Sequence, residues 1–353
     1  MSLFNEHFGG ALFWWRRIVV LTGIGLLLLA TACKQKENGR TAAVPPNTAT
    51  HRHEDLRIVR FLPQWHHQAQ FAGVYVAKAK GFYEDFGLDV IIQSGGPQAP
   101  AAASLENGST DISTLFLLTA LSHRDTGQNF VNIAQVSQKS SLMLVAKREK
   151  GINSIQDLEG RKVALWRTDF RDLSLIFFKQ NKLNVSIVPV DWSINLFLNG
   201  AVDAMNVMNY NEYHLLYQAG MDFEELFSIP YSEVGLNIVE DGIYCTEEYY
   251  LNNPRLCKDF AEATMNGWLY AINHRDEALS IVLDIMNRDH LPANRAHQKW
   301  MLDKMREVIL AKAGVLGTLQ RSSYEDAQNL MLQNGLLKTS TPFERFAPNA
   351  PQD

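Results

Sequence analysis

The chain contains 353 residues, of which 46% are apolar and 20% are charged. This is ordinary globular composition with ample material for a core, and the length suggests two domains. A net charge of −5 excludes the basic footprint of a protein that binds nucleic acid. The three cysteines, Cys33, Cys245 and Cys257, have neither a zinc-binding spacing nor the number needed for a disulfide framework. We therefore expect no metal site and no nucleic-acid partner.

The first 33 residues have the order of a secretory signal rather than that of a folded element. Two arginines precede an apolar run from Ile18 to Ala30, and small residues lead on to Cys33. A run of this length is too short to cross a bilayer comfortably. A cysteine directly after the letters LATA resembles the lipobox of bacterial lipoproteins, which implies lipidation at Cys33. We expect residues 1–33 to be a lipoprotein signal peptide, with a plain signal peptide or signal anchor as the alternative.

Residues 34–55 are polar, contain proline and lack apolar periodicity, which is typical of a flexible linker. His51 and His53 within this linker are predicted to be solvated rather than bound to a metal. The resulting hypothesis is a folded domain held outside the cytoplasm on a lipid anchor. Export would permit a disulfide between Cys245 and Cys257, and the sequence leaves that pairing open.

From Leu56 onward, apolar residues alternate between the spacing of strands and that of helices. Pro63 ends the first strand, and Gly87 is expected to end the turn that follows the first helix. The predicted elements of this first half are strand Leu56–Leu62, helix Ala69–Gly81, strand Leu88–Ser94, helix Ala101–Asn107, a strand leading to Phe116, helix Leu117–Arg124, and strands Phe130–Gln138 and Ser141–Lys147.

The same alternation restarts near Lys150. Strand, helix, strand and helix again precede a Gly-x-x-Asp turn and a strand, as they do in the first half, so the sequence indicates two similar α/β lobes with largely parallel sheets. The predicted elements of this half are a short helix between Ser154 and Gly160, strand Lys162–Trp166, helix Leu173–Gln180, strand Val185–Val190, helix Ser193–Asn199 and strand Gly200–Tyr210.

The last hundred residues are predicted to be helical. Pro254 suits the first turn of a helix, and the four predicted helices need a sheet to cover, for which the first lobe has free faces. These helices are Pro254–Asn273, Arg275–Asn287, Ala293–Ala311 and Tyr324–Asn334.

Four stretches of the chain resemble one known family. They are QWHHQAQFAGVYVAKAKGFYEDFGLDV, GSTDIS, GINSIQDLEGRKVAL and FLNGAVDAMNVMNYNEY, and the likeness extends roughly from Leu56 to Leu283. The family comprises the periplasmic solute-binding proteins of the sulfonate and thiamine-pyrimidine group, and it also contains the fungal thiamine-pyrimidine synthases. The resemblance implies the type II periplasmic-binding-protein fold, in which two α/β lobes are joined by two crossing strands and a ligand lies between them.

Placed on this chain, the resemblance implies a first lobe of residues 56–146 and 245–340 and a second lobe of residues 147–244. The chain is expected to leave the first lobe near Val145–Arg148 and to return near Val239–Tyr244. The C-terminal helices then complete the first lobe.

In such a cleft, ligand contacts come from the carboxyl ends of strands and from the helix starts that follow them. Trp65 is positioned to stack on a flat heterocycle, and Gln68 or Gln70 to hydrogen-bond its ring nitrogens. The alternative for this cluster is a surface loop with a half-buried tryptophan and solvated histidines. The predicted ligand-binding residues are Trp65, His66, Gln68, Gln70, Thr114, Phe116, Trp166, Arg167, Asn209, Tyr210 and Glu212.

Two of these residues favour different ligands. Glu212 suits a ring that bears amino groups, because a carboxylate accepts two N–H donors; the alternative is a solvated acid at a helix start. Arg167 suits a sulfonate or carboxylate, or it is an ordinary surface residue. Hydroxymethylpyrimidine or its formylamino precursor is the first ligand candidate, followed by a riboflavin-like ring and then by a sulfonate or nitrate.

The resemblance therefore implies an extracytoplasmic substrate-binding lipoprotein of an ABC importer, with a membrane permease and its ATPase as partners and no cofactor. A role as the binding component of a separate sensor is the related alternative.

The competing function is the pyrimidine synthesis of the fungal relatives, which needs a lysine for an imine with pyridoxal phosphate and a donor histidine four residues later. The matching positions are Leu115 and Thr119, and residues 108–122 contain neither lysine nor histidine. We therefore predict that the chain is not an enzyme.

Overall fold

The computed structural model describes residues 56–167 and 169–351. Within these residues, ten strands form two five-stranded sheets. The predicted signal peptide, the linker and Cys33 lie outside the described residues. The strands are β1 Arg57–Leu62, β2 Leu88–Ile92, β3 Ile112–Phe116, β4 Phe130–Gln135, β5 Leu142–Lys147, β6 Lys162–Trp166, β7 Ser186–Val190, β8 Ala204–Met208, β9 Leu226–Pro230 and β10 Asp241–Thr246.

The two sheets have the same topology. The first sheet has the order β2-β1-β3-β10-β4, and the second has the order β7-β6-β8-β5-β9. In each sheet the first three strands are parallel, and the fourth runs antiparallel to both of its neighbours. The predicted α/β class with mostly parallel sheets is confirmed, and the two sheets are the repeat that the sequence indicated.

The two Gly-x-x-Asp turns have the same function in both sheets. The glycine of each turn has a φ of 71°, in the left-handed region that favours glycine. The Asp111 carboxylate accepts a hydrogen bond of 2.8 Å from the backbone N–H of Arg60 in β1. The Asp203 carboxylate accepts one of 3.0 Å from the backbone N–H of Lys162 in β6. Each aspartate therefore fastens its turn to the neighbouring parallel strand.

The helices follow the predicted pattern closely. The long C-terminal helix has the predicted bounds, its neighbours agree within about one turn, and the short helix after Ser154 is a 3-10 turn over Ile155–Leu158. The helices are α1 Ala72–Ala79, α2 Ala101–Glu106, α3 Leu117–Asp125, α4 Arg171–Gln180, α5 Asn195–Leu198, α6 Glu212–Gln218, α7 Glu247–Asn252, α8 Pro254–Asn273, α9 Arg275–Arg288, α10 Arg295–Ile309, α11 Arg321–Gln333 and α12 Phe343–Phe346.

We use first lobe for the first sheet with α1–α3 and α7–α12, and second lobe for the second sheet with α4–α6. The chain crosses between them at residues 136–141 and 231–240. The second crossing ends at Asp241, where β10 starts. The first lies earlier than the expected Val145–Arg148, because β5 already pairs with β8 and β9 and the change of lobe precedes Leu142. Every residue of β5 is buried, and a run that is apolar up to its last residue carries no information about which sheet it joins.

Close packing of α8 against α1 fixes the start of α1 beside the first sheet. A Cβ atom on Gly73 would lie 2.3 Å from Trp268 Cδ1, and one on Gly267 would lie 2.0 Å from the Gly73 carbonyl oxygen. The two helices can approach this closely only because both positions are glycine. The residues just before α1 are thereby held at the carboxyl end of β1.

Cys245 in β10 and Cys257 in α8 are both buried and both free, with their sulfur atoms 3.9 Å apart. Among the described helices, none combines the length and the apolar character required to cross a membrane.

Candidate functional site

A cavity of about 630 Å³ lies between the two lobes. Its lining comes mainly from the residues that follow the carboxyl ends of parallel strands: Trp65 after β1, Thr119 after β3, Phe170 after β6 and Trp192 after β7. Strand ends meet at one edge of a parallel sheet, and ligand sites of open α/β sheets form there. The two facing edges thus enclose a space with polar groups on both sides.

The polar side of the first lobe is a set of three glutamines joined to one buried carboxylate. Gln64 Nε2 and Gln70 Nε2 both donate to Asp241 Oδ1, at 2.8 and 2.7 Å. Gln68 Nε2 donates to Gln70 Oε1 at 2.6 Å. We call Gln64, Gln68 and Gln70 the glutamine wall.

Two buried acceptor atoms, one in the glutamine wall and one on the carboxylate that it contacts, have no hydrogen-bond partner among the described residues. Gln64 Oε1 and Asp241 Oδ2 are buried and make no hydrogen bond to any residue that the structure describes. Burial raises the pKa of Asp241 to about 7. A buried polar atom without a partner is costly, and a group that supplies N–H or O–H donors would satisfy it.

The polar side of the second lobe is formed by Tyr210 and Glu212, which we call the Tyr–Glu wall. Glu212 Oε2 accepts from the backbone N–H of Met208 at 2.9 Å, and Glu212 Oε1 accepts from Asn211 Nδ2 at 2.7 Å. Burial raises the pKa of Glu212 to about 7. Burial together with the nearby carboxylates of Asp241, Glu240 and Glu212 raises the pKa of Tyr210 well above its usual value. The Asp241 carboxylate, which accepts from the glutamine wall, therefore also acts on Tyr210 in the Tyr–Glu wall.

Aromatic rings from both lobes meet around the cavity. The rings of Trp65 and Trp192 meet edge to face with their centroids 5.7 Å apart. Phe116 and Phe170 lie 4.5 Å apart, centroid to centroid. Close by, Thr119 Oγ1 donates to Asp169 Oδ1 at 2.7 Å. A flat apolar molecule in the cavity would therefore be surrounded by ring faces and edges from both lobes.

The family model described as NMT1/THI5 like matches residues 68–278, which is more than half of the chain. The chain belongs to the NMT1/THI5-like family. Its fold is that of the periplasmic solute-binding proteins, as the solved structures below indicate.

The similarity to two named relatives extends over most of this NMT1/THI5-like chain. A riboflavin-binding protein, RibY of Chloroflexus aurantiacus, is 22% identical over 76% of this chain and 78% of its own length. A Haemophilus influenzae protein whose name assigns it to thiamine biosynthesis is 21% identical over 82% of this chain and 91% of its own. The aliphatic sulphonate-binding protein SsuA of Escherichia coli has a TM-score of 0.64 at 16% identity, covering 82% of this chain and 97% of that one. Identities this low indicate a shared fold and leave the ligand to the site itself.

Most of the predicted ligand-binding residues line the cavity. They are brought together because each ends or follows a strand whose carboxyl end lies at the cleft. The predicted residues in the lining are Trp65, Gln68, Gln70, Phe116, Trp166, Arg167, Tyr210 and Glu212.

Three predicted residues lie outside the lining. His66 packs against Gly96, where a Cβ atom would come within 2.5 Å of His66 Cε1. Thr114 is buried, and its Oγ1 accepts from the backbone N–H of Gln64 at 2.9 Å. Asn209 contributes its backbone carbonyl to Trp300 at 2.8 Å. These three residues support the lining rather than forming it.

Arg167 lines the cavity but already has a partner. Its Nε lies 3.1 Å from Asp191 Oδ1, and the two side chains are 60% and 59% exposed. A guanidinium that pairs with a carboxylate at the cavity rim is less suited to clamp a sulfonate. Among the described residues the lining has no lysine, and it includes Leu115 and Thr119.

The sequence did not predict Gln64, Asp191, Trp192 or Asp241 as parts of the site. The first three follow β1 and β7, so the rule of strand ends could have found them. Asp241 gives no such signal, because it begins β10 and reaches the glutamine wall only through the pairing of β10 with β3. No cluster of metal-ligating side chains occurs in residues 56–167 and 169–351.

Proposed function

We propose that this chain is the extracytoplasmic solute-binding component of an ABC importer, anchored by lipid at Cys33, and that its solute is a thiamine pyrimidine precursor. The observation that carries the proposal is a cavity with ring faces from both lobes and buried acceptors on its polar sides. An aminopyrimidine offers a flat ring for stacking and N–H donors for carboxylate and amide oxygens. The name of the Haemophilus influenzae relative supports the same class of ligand.

Capture follows from the arrangement of the lobes. A solute that contacts the glutamine wall and the Tyr–Glu wall together binds only when the lobes approach one another, so it stabilises that arrangement by its difference in affinity. The two crossing segments are the hinge. The arrangement with the solute enclosed would then dock on a membrane permease driven by a cytoplasmic ATPase.

A riboflavin-like ring is the second candidate. The cavity volume of about 630 Å³ lies in the range of sites that hold drug-sized ligands and exceeds what one small ring fills. The name of the Chloroflexus aurantiacus relative supports this alternative. Sulfonate and nitrate are less favoured, because Arg167 is the cation of the lining and it is paired with Asp191. A pyrimidine synthase is disfavoured, because neither Leu115 nor Thr119 can form an imine or donate a ring.

The proposal is tested by a thermal-shift screen of residues 34–353 with hydroxymethylpyrimidine, its formylamino precursor, riboflavin, an alkanesulfonate and nitrate. A ligand of the native state raises the melting temperature, and isothermal calorimetry then measures its Kd. We expect one of the heterocycles to bind with micromolar or lower Kd. Binding of the sulfonate or nitrate alone, or turnover of a heterocycle by purified protein, would overturn the proposal.

Replacing Trp65 with alanine is expected to weaken binding of the heterocycle by about 1–3 kcal/mol through lost stacking and burial. The contact with Trp192 across the cleft is lost at the same time. Calorimetry on the Trp65→Ala and Leu251→Ala variants measures the effect. Leu251 is the control, since it is an exposed apolar side chain of the first lobe that does not line the cavity. An unchanged Kd for Trp65→Ala would show that the indole does not contact the solute.

A further inference from the structure

Helix α10 of the first lobe makes hydrogen bonds to the chain segments that carry both polar walls of the cavity. Gln298 Oε1 accepts from the backbone N–H of Ala69 at 2.7 Å, between two members of the glutamine wall. On the other side, Trp300 Nε1 donates to the carbonyl of Asn209 at 2.8 Å. His297 Nε2 lies 3.0 Å from Asn211 Oδ1. One helix therefore holds the chain segments that carry the two walls.

The hydrogen bonds on the second-lobe side form a directed chain. Asn211 Nδ2 donates to Glu212 Oε1, so Asn211 Oδ1 is the acceptor that faces His297. His297 must then carry its proton on Nε2, because two acceptors do not attract one another. Its Nδ1 is left as an acceptor, 3.0 Å from His214 Nδ1, which must donate. The order of donors thus runs from His214 through His297 and Asn211 to Glu212.

Packing keeps the two imidazoles of this hydrogen-bonded series neutral and in place. Burial and the neighbouring His214 lower the pKa of His297 to about 4, and burial lowers the pKa of His214. The His214 ring stacks on the indole of Trp300, with centroids 4.7 Å apart and planes 11° apart. Lys304 Nζ lies 5.0 Å from the centroid of that indole. Neutral imidazoles give the donor order above at neutral pH.

We propose that α10 is a positioning element that couples occupation of the cavity at Glu212 to the contact between the lobes, through Asn211, His297 and His214. The inference rests on the proposed function, because it assigns a solute to the Tyr–Glu wall. A solute that donates to Glu212 holds the carboxylate in the orientation that Asn211 needs, and Asn211 then presents its oxygen to His297. Glu212, Asn211 and His214 belong to the second lobe and its β8–α6 turn, whereas His297 belongs to the first. The series of hydrogen bonds therefore crosses from one lobe to the other.

The first test needs no ligand. Nitrogen-15 NMR of imidazoles distinguishes protonated from unprotonated ring nitrogens, and it is expected to report the Nε2–H tautomer for His297 and the Nδ1–H tautomer for His214 at pH 7. A histidine-to-glutamine replacement at each position assigns the two signals. The reverse tautomer at His297 would overturn the proposal, because Asn211 would then have no donor from α10.

The second test uses hydrogen exchange in the ligand-free chain to measure how far α10 protects the backbone amides around the Tyr–Glu wall. In His297→Ala and in the conservative variant Trp300→Phe, amides of residues 208–214 are expected to exchange about tenfold faster than in the wild type. Lys299→Ala, on the exposed face of the same helix, is the matched control and is expected to leave that exchange unchanged. Equal exchange in all three variants would overturn the proposal.

The third test adds the hydroxymethylpyrimidine or riboflavin probe. If α10 couples the walls, the probe is expected to slow exchange at the start of α10 in the wild type but not in His297→Ala, which lacks the link between Asn211 and His214. A probe that protects residues 208–214 without protecting α10 would contradict coupling. If no heterocycle binds the wild type at all, the proposed function fails, while the two ligand-free tests still decide whether α10 holds the wall.

Discussion

Replacing Glu212 with alanine is expected to raise the Kd of the aminopyrimidine probe by about 100-fold, which corresponds to about 2.7 kcal/mol. The variant removes the carboxylate that would face the amino group of the ring. It also leaves the Met208 N–H and Asn211 Nδ2 without their buried acceptor, and each unsatisfied group costs about 1–3 kcal/mol. Asn211 would then be free to rotate away from His297. The unsatisfied groups lower the stability of the folded chain, and the loss of affinity comes from the missing carboxylate and from the changed orientation of Asn211.

Calorimetry at pH 7.5 on Glu212→Ala and on Glu224→Ala measures this effect. Glu224 is an exposed acid of the same lobe, so it controls for the change of net charge. We expect the Glu224 variant to bind like the wild type. A Glu212→Ala variant with wild-type affinity would show that the solute is held by the glutamine wall and the aromatic rings alone.

The same carboxyl predicts how binding depends on pH. Burial raises the pKa of Glu212 from about 4.5 to about 7, so the folded protein keeps this proton below pH 7 and loses it above. A protonated carboxyl group pairs with an aminopyrimidine through two hydrogen bonds: its O–H donates to a ring nitrogen, and its other oxygen accepts from the amino group. Affinity for the aminopyrimidine is therefore expected to fall as the pH rises above 7, by at most about tenfold per pH unit.

Asp241 titrates in the same range, because burial raises its pKa to about 7. Measuring the Kd from pH 6 to pH 9 in the wild type and in Asp241→Asn separates the two groups, since the amide oxygen of asparagine can still accept from Gln64 and Gln70. The decline in affinity is expected to persist in Asp241→Asn. A profile that is flat in the wild type would show that Glu212 does not exchange a proton with the bound ring.

Much of the fold could be predicted because its signals are local. The glycine and aspartate of each Gly-x-x-Asp turn act within a few residues of one another and on the adjacent strand, and Pro254 begins α8 where a first-turn proline is favourable. Strand β9 was missed, since Leu226–Pro230 is short, ends in proline and lies at a sheet edge. The lobe to which β5 belongs was misassigned because a fully buried strand has no polar face to orient it.

The site was less predictable, because its geometry depends on contacts between distant segments. Trp65 and Tyr210 could be named from their places after strands, but the same rule also selected Thr114 and Asn209. The side chain of Thr114 turns to the backbone of Gln64, and the carbonyl of Asn209 turns to Trp300. The role of Asp241 depends on the pairing of β10 with β3, which joins residues more than a hundred positions apart. Sequence patterns identify the edge of the sheet that forms a site and leave the orientation of each side chain to tertiary packing.

A second large effect is expected at Glu240, whose carboxylate joins the two crossing segments. It accepts from Ser140 Oγ at 2.6 Å, from the Ser141 N–H at 2.9 Å and from the Leu142 N–H at 3.0 Å. Glu240→Ala leaves the Ser140 hydroxyl and the Ser141 N–H without this acceptor, while the Leu142 N–H keeps only Ser140 Oγ at 3.1 Å. We expect the free energy of unfolding to fall by about 3–5 kcal/mol, since each unsatisfied buried donor costs roughly 1–3 kcal/mol. Urea denaturation of the variant beside Glu233→Ala, an exposed acid of the same crossing segment, measures the loss.

The pH dependence of stability distinguishes this buried carboxyl from a surface acid. Burial raises the pKa of Glu240 from about 4.5 to about 8, so its protonated form stabilises the folded chain below pH 4.5, and that contribution is lost as the pH rises through 8. Glu240→Gln cannot titrate and keeps one acceptor oxygen for the Ser141 and Leu142 amides. We therefore expect it to lose less stability than Glu240→Ala and to make the decline between pH 6 and pH 9 shallower than in the wild type. The rest of the decline comes from Glu212 and Asp241, whose pKa values burial also raises. If Glu240→Ala unfolds at the wild-type urea concentration, the two crossing segments are held together by their backbone contacts alone, and the hinge does not depend on this carboxylate.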